Sequence, residues 1–329
     1  MQLSYAQNME DFALEQVFGD QATGVYVDVG AGHPVADNVS FWFYLKGWRG
    51  LVVEPQPELA GLYAHVRPRD HVAACVAGRE DGETEFHAVE GLHGLSSTVR
   101  ERAAGASAFG AGYRTRRVPV RRLSALCDEA GIDRIDVLKI DVEGAEADVL
   151  AGIDFARHRP RVILLEAMQP GDLAEAWHGW EPMLTAAGYR FAYFDNLNRF
   201  YVAGEAAALA DRFPNEPHGW DKAAHLWDAG RAPEAPGHPD HALARLLGDA
   251  FYAMLPTLDP ALVAALIRRG LKAGKRDADD PAVRAELLGT AEFPRAGEPM
   301  PDLDALMDSD RFRAALGRIA CRYDGGHVD

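Results

Sequence analysis

The run Asp136-Val-Leu-Lys139-Ile-Asp141-Val-Glu143-Gly144-Ala-Glu146 concentrates ionisable residues in a segment that otherwise reads as a buried strand. Strand alternation sends Lys139 and Asp141 to the same side. Charges at the end of a central strand are costly unless they are paired or used in chemistry. A carboxylate placed there can accept the proton of an attacking hydroxyl, which makes Asp141 the first candidate base. Lys139 is expected to orient Asp141 or to lower the hydroxyl's pKa electrostatically. Glu143, and Glu166 at the end of the following strand, are the alternative bases, with His33 and His93 behind them. A divalent metal acting as a Lewis acid can do the same work, and Asp141 and Glu166 with Asp195 or Asn196 offer oxygen ligands for it. A purely structural Lys139–carboxylate pair, with Glu143 and Glu146 favouring a helix N-terminus, is the competing account.

A second chemical signal is Val25-Tyr-Val-Asp28-Val-Gly30-Ala31-Gly32, a strand running into a glycine turn. In open α/β sheets ligands bind at such carboxyl ends, near the switch point of the strand order. A dinucleotide fingerprint requires a third glycine at position 35, which is Val35. Glu54 ends the next strand with Pro55 after it, where a carboxylate can accept from two ribose hydroxyls. Asp28 beside the turn would repel a pyrophosphate but suits the cationic end of S-adenosylmethionine. Asn38, Ser96 and Ser97 are expected to add donor contacts. Gln7 and Asn8 precede a helical pattern (Met9, Phe12, Ala13, Val17) that can fold over the same site.

The elements that must position these residues alternate in type. Strands are predicted at Val25–Val29, Leu51–Val53, Val72–Val76, Ile135–Ile140, Val162–Glu166, Arg190–Phe194 and Phe200–Val202, separated by segments of helical spacing. This pattern predicts a Rossmann-like, doubly wound, mostly parallel seven-stranded α/β sheet. The turn chemistry of Asp195-Asn196-Leu197-Asn198 predicts that the last two strands close it as an antiparallel hairpin. From residue 205 no strand signal appears. Helical patterns near His241–Met254, Asp259–Leu271 and Leu303–Ile319 predict a C-terminal helical extension over 205–329, attached to a domain over 1–204.

The chain has 329 residues, 34 Lys+Arg against 50 Asp+Glu, and a net charge of −16. That balance argues against a nucleic-acid partner or an anionic-membrane surface, both of which require clustered cations. Three widely spaced cysteines, Cys75, Cys127 and Cys321, form no disulfide framework or zinc site. The acidic N-terminal segment does not read as a signal peptide, and no stretch reaches the ~20 apolar residues of a membrane span. A cytoplasmic location is the expectation.

Ser4-Tyr-Ala-Gln7-Asn8-Met-Glu10-Asp11, Asp28-Val-Gly-Ala-Gly32, Gly47-Trp-Arg-Gly50, Val53-Glu54-Pro55, Lys139-Ile-Asp141-Val-Glu143-Gly144 and Leu197-Asn-Arg-Phe200, in this order over 1–204, together resemble an FkbM-type methyltransferase. The resemblance implies a class I S-adenosylmethionine-dependent O-methyltransferase. It further implies an acceptor hydroxyl on a sugar, a surface polysaccharide or a related natural product; lipid linkage of that sugar and a glycosyltransferase partner are separate expectations. Two alternatives stand beside it: an NAD-dependent oxidoreductase, and a non-catalytic donor- or glycan-binding module. The C-terminal helices are expected to mediate assembly, including a homodimer.

Overall fold

A computed structural model describes residues 3–168, 174–215, 221–287, 302–307 and 309–321. They fall into two compact units, Met1–Asp228 and Ala229–Asp329. The first unit therefore runs past the boundary expected at residue 204. One reason is a two-residue strand, β12 (Ala224–His225), which pairs in parallel with β1 (Leu3–Ser4), where no strand was expected so late. His225 Nε2 also lies 2.8 Å from the Ala6 carbonyl.

The main sheet is mixed, with seven strands. Five run parallel: β2 (Val25–Val29), β3 (Arg49–Val53), β4 (His71–Ala73), β8 (Val137–Ile140) and β9 (Val162–Glu166), in the order β9-β8-β2-β3-β4. Strands β10 (Tyr189–Phe194) and β11 (Asn198–Ala203) pair antiparallel, and β11 joins β9 in the same sense, with Asn198 opposite Glu166. The β-branched runs of β2, β3, β8 and β9 are buried almost throughout, as parallel strands covered on both faces must be.

Alternation divides their side chains between two cores. Val27, Val29, Leu138, Ile140, Ile163 and Leu165 pack against α5 (Leu123–Glu129) and α6 (Glu146–Ala151). Tyr26, Val52, Val137, Val162 and Leu164 face α1 (Glu10–Phe18), α2 (Phe41–Leu45) and α3 (Pro57–Val66). Asp28 and Lys139 have the parity of this second face and lie opposite one another in the β2–β8 register.

The predicted strand Val72–Val76 is two strands. β4 ends at Ala73, and β5 (Val76–Gly78) enters a separate sheet of order β5-β7-β6, with β6 spanning Gly82–Val89 and β7 Tyr113–Arg122. The link from β6 to β7 carries α4 (Arg100–Gly105) and short 3-10 turns at His93–Leu95 and Ala106–Phe109. Between β9 and β10, a 3-10 turn at Trp177–Gly179 precedes α7 (Glu181–Ala186).

Among the described residues the second unit contains α8 (His241–Met254), α9 (Pro260–Ala273), α10 (Pro281–Leu287), α11 (Leu303–Met307) and α12 (Asp310–Ala320). Asp259 caps α9 through the amides of Ala261 and Leu262, and Ser309 caps α12 through that of Phe312, which splits the predicted helix 303–319 in two. Val263, Ala264, Met307 and Phe312 make one small core. Among the described residues no helix is long and apolar enough to cross a membrane.

Candidate functional site

A cavity of about 570 Å³ opens at the carboxyl ends of β2, β3 and β8. Gly30 adopts φ 72° and Gly32 φ 61°, the left-handed region that favours glycine. The turn leaves β2 with the amides of Gly30 and Ala31 donating to the Val53 carbonyl at 3.0 and 3.2 Å. A side chain at Gly30 would place its Cβ 1.8 Å from the Asp141 carbonyl oxygen, so the turn and the end of β8 are packed backbone to backbone.

Glu54 lies at one end of this turn, 3% exposed. Its two carboxylate oxygens accept from the amides of Gly32 and Gln56, each at 2.8 Å. Burial raises its pKa, and those two amides and Lys139 partly offset the rise. A carboxylate has about four acceptor positions, so Glu54 can still receive ligand hydroxyls. It is therefore also a brace for the turn, and Gln56 stands at the N-cap of α3. Cys75, with Val76 and Phe86 from the smaller sheet, adds an apolar surface to the lining.

At the other end three carboxylates converge. Oxygens of Asp141, Glu143 and Glu166 all lie within 4.8 Å of one another. Lys139 Nζ stands 3.4 Å from Asp141 and 3.4 Å from Asp28, and donates to the Gly30 carbonyl at 2.7 Å. Burial opposes the Lys139 charge, but Asp141 and Asp28 outweigh it and raise its pKa, so this residue holds its proton. Burial, with Asp141 and Glu146 adding repulsion, pushes the Glu143 carboxyl up to about 8. Burial pushes Glu166 up to about 10, with Asp141 and Glu143 adding to the rise. Glu146 is turned inward, where it accepts from the amides of Gly144 and Val142 at 3.0 and 3.3 Å.

Of the expected site residues, Gln7, Gly30, Ala31, Gly32, Glu54, Pro55, Ser96, Lys139, Asp141, Glu143 and Glu166 line the cavity. Four expected donor contacts do not. Asp28 is 1% exposed and accepts from Ser40 at 2.6 Å while facing Lys139, so it balances a buried charge behind the lining. Asn38 is buried beneath the turn, bonded to the carbonyls of Ala31 and His33. Ser97 is spent on the Glu143 carbonyl and the Val99 amide, and the Asn8 amide group on the Asp195 carbonyl. Asp195, a suggested metal ligand, is also diverted: it binds the Leu197 and Asn198 amides near Glu10. His33 Nδ1 accepts from the amides of Val35 and Ala36, and burial, with His93 nearby, lowers its pKa, which removes it as a base at that atom.

Two supports escaped the sequence reading. Arg67, fully buried, binds Asp70, Asn38, Tyr26 and Ser40 and so anchors the underside of the glycine turn. The other is the β6–β7 pair. Its signal was the alternation in Thr84-Glu-Phe-His-Ala-Val against the arginines of β7, with Glu85 opposite Arg117.

The cavity thus opens at the carboxyl ends of parallel strands, over a glycine turn, which is the position where open α/β sheets bind ligands. Residues 28–191 match the methyltransferase FkbM domain, and this part of the chain belongs to that family. Two curated proteins share shorter stretches. One is the 2-O-methyltransferase NoeI of Sinorhizobium fredii, 54% identical over 49 residues, which are 15% of this chain and 20% of that protein. Another is the AMB antimetabolite synthetase AmbE of Pseudomonas aeruginosa, 48% identical over 61 residues, 18% of this chain and 3% of that protein. The chain thus matches well under two thirds of either relative's length. Family membership favours methyl transfer over the hydride-transfer alternative.

Proposed function

We propose that this protein is an S-adenosylmethionine-dependent O-methyltransferase of class I fold that methylates a hydroxyl of a sugar or glycan. The observation that carries the reading is that Glu54 and the Asp141–Glu143–Glu166 cluster line one cavity. The lining fits the donor: a carboxylate for a ribose diol, an apolar wall for a purine, and a cluster of acidic groups where a cation would lie. Bound there, S-adenosylmethionine would supply a methyl group on a positively charged sulfur, released as a neutral thioether.

The chain's own residues handle position and proton. Glu54 holds ligand hydroxyls and keeps the turn closed. Lys139 fixes Asp141 against the turn. Glu143, titrating near neutrality, has the affinity a general base requires at working pH, and shares this role with Asp141. Glu166 keeps its proton at that pH and serves as a hydrogen-bond donor beside them. The relative named as a 2-O-methyltransferase supports oxygen as the acceptor atom.

The same three carboxylates are spaced so that they could hold a divalent cation, joining Glu143 to the expected pair Asp141 and Glu166. A metal would have to displace the protons that burial keeps on Glu143 and Glu166. Lys139 already supplies positive charge to Asp141. We therefore assign the cluster to proton transfer.

The test is transfer of labelled methyl from S-adenosylmethionine onto a panel of glycans and lipid-linked sugars, with calorimetry against S-adenosylmethionine and NAD. Methylated sugar is expected. Tight NAD binding without methyl-donor binding would overturn the reading, and donor binding with no turnover on any acceptor would support the non-catalytic module.

A further inference from the structure

A second, smaller cavity of about 170 Å³ also reaches Glu143, walled by Leu95, Glu101, Arg102, Ala106 and Phe109. Leu95 and Glu143 line both cavities, so Glu143 stands at their junction. It is held there in an unusual backbone state, φ 55° without being glycine, with its carbonyl accepting from Ser97 at 2.8 Å. Non-glycine residues in this region are uncommon and collect at functional sites, where the surroundings enforce them.

The chemistry of the smaller cavity differs from that of the larger. Phe109 is 62% exposed and lies outside every core cluster, on a 3-10 turn closed by Gly110. Arg102 faces Glu143, and Glu101 stands beside it in the wall. An exposed aromatic ring, a guanidinium and a carboxylate lining one small cavity are suited to a polyhydroxylated ring, whose C–H face can pack on the aromatic ring while its hydroxyls bond to the charged groups. The volume falls below the ~300–1,000 Å³ of drug-sized ligand sites, which leaves room for one ring.

We propose that this smaller cavity is the acceptor subsite, taking a single sugar ring and presenting one of its hydroxyls to Glu143 where the two cavities meet. The inference rests on the larger cavity being the donor site. The hydroxyl proton passes to the Glu143 carboxylate as the oxygen gains the methyl group and the carbon–sulfur bond breaks.

The test uses the full chain saturated with S-adenosylhomocysteine and titrated with methyl glycosides of hexoses and 6-deoxyhexoses, followed by NMR. At least one glycoside should bind, and Phe109→Ala and Arg102→Gln should each weaken it ten-fold or more. Phe109→Trp should preserve it. Affinity for S-adenosylhomocysteine should change less than two-fold in all three variants, which separates loss of the subsite from loss of fold. The proposal is overturned if the loaded protein binds none of the glycosides, or if binding survives both substitutions unchanged. Failure to bind S-adenosylhomocysteine would instead overturn the donor reading, and the subsite with it.

Discussion

The Lys139 ammonium lies 3.4 Å from Asp141, and its hydrogen bond to the Gly30 carbonyl joins the end of β8 to the glycine turn of β2. One buried cation thus locks a candidate base and the glycine turn into a single geometry. Replacing it should expose the cost of that arrangement. In Lys139→Met, Asp28 and Asp141 lose their shared counter-charge, and removing one partner of a buried ion pair costs about 3–5 kcal/mol. Chemical denaturation should show a loss of this size, and Lys139→Met/Asp28→Asn should recover part of it.

The two glycines of the turn should differ in tolerance. Gly30→Ala forces a Cβ onto the Asp141 carbonyl as well as a left-handed alanine, so donor binding should be abolished and stability reduced. At Gly32 the nearest atoms are 3.7 Å away, on the His93 ring. Gly32→Ala should cost only the ~1–2 kcal/mol of the left-handed conformation. Thermal unfolding and calorimetry on the two variants distinguish these outcomes.

Glu143 sets a pH dependence. Its carboxyl rises from 4.5 to about 8 on folding, so between those values the folded chain holds a proton that the unfolded chain has released. Stability from this group is complete below pH 4.5 and is lost as pH rises toward 8, at up to ~1.4 kcal/mol per pH unit. Glu143→Gln should flatten that slope in denaturation profiles. Methyl transfer should rise along the same limb as the base ionises. Asp141→Asn, which removes a repelling neighbour, should shift the limb to lower pH; complete loss of transfer would make Asp141 the base.

Exhaustive dialysis against EDTA should leave methyl transfer within about two-fold of its starting rate, because protons and Lys139 already satisfy the carboxylate cluster. Loss of activity restored by a divalent cation would reassign Asp141, Glu143 and Glu166 to a metal.

The rim of the cavity depends on a clasp distant from the chemistry. Asn198 donates to Glu10 at 2.8 Å and Asn8 to the Asp195 carbonyl at 2.9 Å, tying the segment that carries Gln7 to the turn that carries Leu197. Burial pushes Glu10 up to about 8 and Asp195 to about 6. Asn198→Ala should cost ~1–3 kcal/mol by leaving a buried carboxyl oxygen unpaired. Hydrogen exchange should quicken in residues 5–9 and 195–198 before elsewhere.

Local information determined much of this protein. The β-branched runs of β2, β3, β8 and β9, the glycine turn and the placement of Glu54 and Asp141 at strand ends all follow from the order of residues, because strand propensity, period-two alternation and turn chemistry act over a few positions. The same alternation assigns Asp28 and Lys139 to one side but does not say which side the cavity opens on, so Asp28 read as a ligand contact. Only strand register brought Glu166 to Asp141 and Glu143, and only long-range packing placed Arg67 under the turn. The smaller sheet escaped notice because Pro119 and a run of arginines obscure β7, whose stability comes from β6. Pairing and burial are properties of the assembled sheets. They decide which ionisable groups meet, and so which of the acids in this acidic chain do chemistry.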